Sequence, residues 1–99
     1  MMNVNDMNHA WYENVSANGE FVIGQYYGIV ILQCASYEAK CSVGVITPEQ
    51  AVELVSANYS GIGTDKVHKL YVNSDGNVVL KSSRSSPTSF KLRIIRVWH

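Results

Sequence analysis

Thr47-Pro48-Glu49-Gln50-Ala51-Val52-Glu53-Leu54-Val55-Ser56-Ala57-Asn58 decides the fold class, because it carries the only credible helix signal in the chain. Thr47 can cap a helix, Pro48 fits its first position, and Gln50 completes a capping-box pattern. Ala51, Val52, Leu54, Val55 and Tyr59 would supply an apolar side, with Glu49 and Glu53 near the positive N-terminal end. The pattern predicts a helix over about residues 48–58, ended by Asn58 to Gly63. About three turns is marginal for an isolated helix, so a sheet must hold it.

On both sides of this stretch the chain reads as strands. Asn18-Gly19 lies between Trp11–Ser16 and Glu20–Ile23 and suits a type I′ hairpin turn, which needs φ > 0 at both central residues. That register would set Val15 against Val22 and Trp11 against Tyr26. Asn73-Ser74-Asp75-Gly76-Asn77 marks a second hairpin, with Gly76 free to take a left-handed bulge conformation. Its pairs would be Val72 with Val78, Tyr71 with Val79, Leu70 with Leu80, and Lys69 with Lys81.

Gly28 to Gln33 is apolar on both faces and reads as a buried central strand, with Gly24 and Gly28 as bends in a longer run from Glu20. Cys41 to Ile46 is a further strand, reached through a turn around Ser36 to Lys40. Ser82 to Ser89 is a polar loop, and Phe90 to His99 a last strand. Ile94-Ile95 breaks its alternation, which implies a bulge or burial on two sides.

Twenty residues are Val or Ile against five Leu, and branching at Cβ suits a pleated surface. Ninety-nine residues make a single domain, 1–99, with a polar N-terminal tail of roughly 1–8. The expected fold is therefore α+β, an antiparallel sheet of hairpins with one central helix packed on it. A small all-β barrel with a helical plug is the alternative. Met1 to Ala10 is polar and unlike a signal peptide, and the longest apolar run, Ile29 to Leu32, is too short to cross a bilayer. A cytoplasmic protein with no membrane partner follows, its Cys34 and Cys41 reduced.

Charge is sorted along the chain. Asp6, Glu13, Glu20, Glu38 and Glu49 face one base, Lys40, up to Gln50. Beyond it Lys66, Lys69, Lys81, Arg84, Lys91, Arg93 and Arg96 face Glu53, Asp65 and Asp75. A net charge of zero thus hides an acidic and a basic half, which calls for an anionic partner or for an acidic surface in the same chain or a second copy. Lys69, Tyr71, Lys81, Arg84, Lys91, Arg93 and Arg96 are the candidate anion or nucleic-acid contacts. Cations interleaved with Tyr71 and Trp98 suit a phosphate backbone with a stacked base. The plainer reading, favoured by the neutral net charge, is a solvated edge whose lysines deter strand pairing.

Six Tyr and two Trp in so short a chain point to recognition. Trp11, Tyr12, Tyr26, Tyr27 and Trp98 are the residues expected at a partner-binding surface, although Trp11 and Tyr26 could simply cover the first hairpin. Cys34, Cys41, His9, His68 and His99 lack the spacing of a metal site or a thiol nucleophile. Gly61-Ile62-Gly63-Thr64 follows the expected helix, whereas a phosphate loop precedes one. No catalytic residue, metal ligand or cofactor is assigned. The expectation is a non-enzymatic binding protein that self-associates, as a dimer, and recognises a partner protein. Small chains of this kind are common among accessory proteins of phages and mobile elements. Nucleic-acid binding ranks second, and a small enzyme or ligand pocket using Cys34, Cys41 or His68 third.

Overall fold

The computed structural model describes residues 8–34, 41–56, 60–63 and 66–98, without the side chains of Cys34 and Trp98. They form nine strands: β1 (Asn8–Val15), β2 (Glu20–Gly24), β3 (Tyr27–Cys34), β4 (Ser42–Ile46), β5 (Ala51–Val55), β6 (Ser60–Ile62), β7 (His68–Val72), β8 (Val78–Ser82) and β9 (Thr88–Trp98). One sheet has the order β1-β9-β3-β4-β5, the other β2-β8-β7-β6. Every pairing is antiparallel except β6 with β7. The fold is all-β, and no helix occurs among the described residues. The α+β expectation is overturned. Of its alternative, the all-β character holds and the helical plug does not.

The helix expectation failed at its best clue. Thr47 Oγ1 does accept the amides of Glu49 and Gln50, each at 3.2 Å, as a cap would. However, the Thr47 amide also donates to the Gln50 carbonyl at 2.8 Å, which closes a hairpin loop. Pro48 then takes the second position of the turn, which its fixed φ favours equally well. Ala51 to Val55 runs back along β4, with Ile46 opposite Ala51 and Val45 opposite Val52. A ready strand partner four residues away outcompetes a short, marginal helix.

The first hairpin is corrected as well. A turn does close at the expected place, the Gly19 amide donating to the Ser16 carbonyl at 3.0 Å. Only Asn18 there has positive φ, at 52°, so this is not a type I′ turn. β1 and β2 part company after it, and Val15 lies opposite Thr88 rather than Val22. β1 pairs with β9 in one sheet while β2 pairs with β8 in the other. β1 and β2 thus run along β9 and β8 as one long antiparallel ribbon that folds over between the sheets. Backbone bonds from Asn18 to Arg84 (2.8 Å) and from Ser82 to Gly19 (2.9 Å) keep the ribbon closed across the fold.

The second hairpin has the expected register throughout, Lys69 opposite Lys81 included. Asn73 Oδ1 accepts the amides of Asp75 and Asn77, and Gly76 stands at φ 80°. Between the sheets lie Val15, Ile23, Val30, Leu32, Ile46, Ile62, Leu70, Val78, Leu80, Phe90, Leu92 and Ile94, all buried. Phe21 and Phe90 meet edge-on across the layers, centroids 5.4 Å apart. The expected N-terminal tail falls outside the described residues for 1–7, as does the turn around Ser36 to Lys40.

Candidate binding surfaces

Each sheet turns one face to the core and the other outward, and the two outer faces differ in chemistry. On the five-stranded sheet, one outward row runs Val52, Val45, Ile29, Ile95, Asn8 across the strands. The next runs Val55, Val43, Ile31, Arg93, Ala10. Ile29 is 44% exposed, Val52 43%, and Val55 and Val97 56% each. An antiparallel sheet facing water ordinarily alternates apolar and polar residues. β3 and β4 largely do not: their inward Val30, Leu32 and Ile46 are fully buried, yet outward Ile29, Ile31, Val43 and Val45 are apolar as well, with Gln33 the polar exception. Ile94 and Ile95 belong to the same pattern, one inside and one outside, with no bulge between them.

At one end of this face a hollow of about 440 Å³ is lined by Tyr12, Ile31, Gln33, Cys41, Lys91 and Arg93, among others. Tyr12 is 65% exposed, and the Lys91 Nζ lies 5.1 Å from its ring centre. Arg93 donates to Asn8 Oδ1 at 2.9 Å. Cys41 is a free thiol, half-buried.

Trp11 and Tyr26 do meet, edge-on at 5.1 Å, although Tyr26 lies between β2 and β3 and is not opposite Trp11 in a hairpin. The His9 ring packs tilted against Tyr26, centroids 4.7 Å apart, and the Arg96 guanidinium lies 5.5 Å from the same Tyr26 ring. Trp11 and Tyr26 of this cluster are partly buried and pack against the core. Tyr27, expected at the surface, is buried: its hydroxyl donates to the Gly76 carbonyl and ties β3 to the β7–β8 turn. Trp98 lies opposite Tyr27 on β9, and its side chain is outside the described part.

The outer face of the four-stranded sheet carries Glu20, Lys81 and Lys69 in one row and Val22, Val79 and Tyr71 in the next. Lys66, Val67, Lys69, Tyr71, Lys81 and Ser83 line a hollow of about 660 Å³. The Tyr71 hydroxyl donates to Glu20 Oε1 at 3.1 Å, and the Lys69 Nζ stands 5.6 Å from the Tyr71 ring. Lost solvation, this hydrogen bond and the Glu20 charge together raise the Tyr71 phenol above its ordinary value of 10.

The basic candidates therefore divide. Lys69 and Lys81 belong to one outer face, Lys91 and Arg93 to the opposite one. Arg96 faces Tyr26, and Arg84 sits half-buried where the ribbon folds over. His68 is wholly buried, between Ser60 and Ser82 in the sheet register. Near it Ser42 Oγ donates to the Ser60 carbonyl at 2.6 Å, and Glu53 accepts the Ile62 amide at 2.8 Å. Ser42 points inward and its neighbour Cys41 outward, so Cys41 and His68 lie on opposite sides of the five-stranded sheet. Among the described residues no group of three His, Cys, Asp or Glu could hold a metal ion, and no helix is long and apolar enough to cross a membrane. The fold and its faces define a small β-sandwich whose five-stranded outer face is apolar across β3 to β5 and whose four-stranded outer face sets a charged row beside an apolar one. No family model, curated protein or solved structure matches the chain.

Proposed function

We propose that the protein is a non-enzymatic binding module that assembles with a second copy of itself through the outer face of its five-stranded sheet. The observation that carries this is the two-sided apolar character of β3 and β4, continued by Ile95 and Val97 of β9, where only one side is covered. Water against Ile29, Val45, Val52 and Ile95 is unfavourable by about 25 cal/mol per Å² exposed, and a facing sheet at about 10 Å removes it. A second copy fits this face because the β-branched rows repeat on the partner and the net charge is zero, leaving little long-range repulsion. Lys91 and Arg93 mark one end of the face. A twofold axis crossing the strands keeps the two basic ends apart. Tyr12 at the rim offers an aromatic anchor for a different protein, which is the second reading.

Light scattering after size exclusion tests the assembly. A particle heavier than 11.0 kDa is expected at micromolar concentration. Ile29→Lys should return it to a monomer that stays folded, because Ile29 points outward. A wild-type monomer persisting at several hundred micromolar would remove the proposal.

A further inference from the structure

Lys69 and Lys81 face each other from β7 and β8, their Cα atoms about 5 Å apart by the ladder geometry. Like charges so placed cost stability, and lysines on a sheet are ordinarily explained as guards of an exposed edge. That explanation does not hold at this site. β8 lies between β2 and β7, and β7 between β8 and β6, so neither strand is an edge. A long nucleic-acid track does not explain the pair either, because Lys91 and Arg93 are on the other side of the sandwich.

What remains is local. Lys66, Lys69 and Lys81 line one hollow, with the Ser83 hydroxyl at its rim and Tyr71 as a wall. Glu20 lies across the row, on the far side of Lys81 from Lys69. It accepts the Tyr71 hydroxyl, which fixes the ring. All three lysines line that hollow, and Glu20, opposite Lys81 in the register, is not among the lining residues. We infer that this hollow is a binding site for a compact phosphate-bearing anion, held by Lys66, Lys69 and Lys81. Tyr71 gives a flat apolar wall to whatever carries the phosphate. The site is independent of the self-association face, which lies on the opposite sheet.

The test is an amide NMR titration of the full chain with pyrophosphate, with adenosine monophosphate and with a short oligothymidylate, all at the same ionic strength. Pyrophosphate should give saturable shifts at Lys66, Lys69, Tyr71 and Lys81. A charge-assisted hydrogen bond to phosphate contributes enough that losing one lysine should weaken binding about tenfold. Lys69→Gln with Lys81→Gln should therefore abolish the shifts. The same variant should melt no lower than wild type in the absence of anion, because it also removes the opposed charges. Tighter binding of the monophosphate, with added shifts at Tyr71, would identify a nucleotide-like source. Tighter binding of pyrophosphate would identify a bare phosphate group. Shifts that do not saturate, or that persist in the double variant, would overturn the site. Oligothymidylate binding whose shifts spread to Lys91 and Arg93 would replace it with a nucleic-acid surface.

Discussion

The outer faces of the two sheets are built on the same pleat and have opposite chemistry. On the four-stranded sheet the row Glu20, Lys81 and Lys69 is charged and the next row is Val22, Val79 and Tyr71, both alternating with buried Leu80 and Leu70. On the five-stranded sheet, Ile29, Ile31, Val43, Val45 and Ile95 continue the apolar sequence through to the outside. One face sets a charged row beside an apolar one. The other has the residue pattern of a buried layer without the second layer, and that contrast is the reason for assigning it to an interface.

The sharpest way to break the comparison is within one strand. Ile94 and Ile95 are neighbours in β9, one fully buried and one 38% exposed. Ile94→Ala should lower folding stability by about 2–5 kcal/mol, since the cavity opens between the sheets. Ile95→Ala should change monomer stability by less than about 0.5 kcal/mol and instead weaken assembly. Equal losses in denaturant melts would mean that the outward face is not an interface.

Gly28 supports the same face from beneath. Its φ is 154°, and a Cβ there would lie 1.9 Å from the Ile95 carbonyl oxygen. Gly28→Ala should therefore cost about 1–3 kcal/mol and displace β9 against β3. An unchanged midpoint would show that the two strands are free to separate locally.

Thr47→Ala is the next smaller effect, about 1 kcal/mol, and it discriminates helix from hairpin. In the hairpin the loss should appear as faster hydrogen exchange at Val45 and Val52, which flank the turn in register. Protection of consecutive amides along Ala51 to Val55, in place of the alternate protection of an edge strand, would contradict the hairpin.

The same residues show how far the sequence could be read. The β7–β8 hairpin was legible because its turn signal and both strands are contiguous, so local chemistry and pairing coincide. Thr47 misled because a hydroxyl that caps a helix and one that closes a hairpin loop accept the same amides, those of Glu49 and Gln50. Asn18-Gly19 correctly marked a bend, but a turn does not say which strands pair beyond it. β1 and β2 find partners in β9 and β8, far along the chain. Tyr27 could not be placed for a similar reason: its hydroxyl partner is 49 residues away. The apolar character of β3 was legible, and it was read as two-sided burial that the single chain does not supply. Lys69 opposite Lys81 was also legible, whereas their position on inner strands depends on β2 and β6.

On the charged face the smallest effect concerns Tyr71. Its raised pKa means that the neutral phenol is favoured in the fold. The associated stability is fully present below the ordinary value of 10 and is lost as pH rises through the higher folded value. Glu20→Gln should lower the Tyr71 ionisation midpoint in an ultraviolet titration and reduce stability by less than about 1 kcal/mol. No change in that midpoint would mean that Glu20 does not hold the ring.

The interface claim is tested most directly by following side-chain methyl resonances while the protein is diluted. Methyls of Ile29, Ile31, Val43, Val45, Val52 and Ile95 should shift together with concentration, along one binding curve, while those of Val22 and Val79 on the opposite sheet stay fixed. Resonances that do not depend on concentration, or a dependence centred on Val22 and Val79, would contradict the assignment of the apolar face as the surface through which two copies meet.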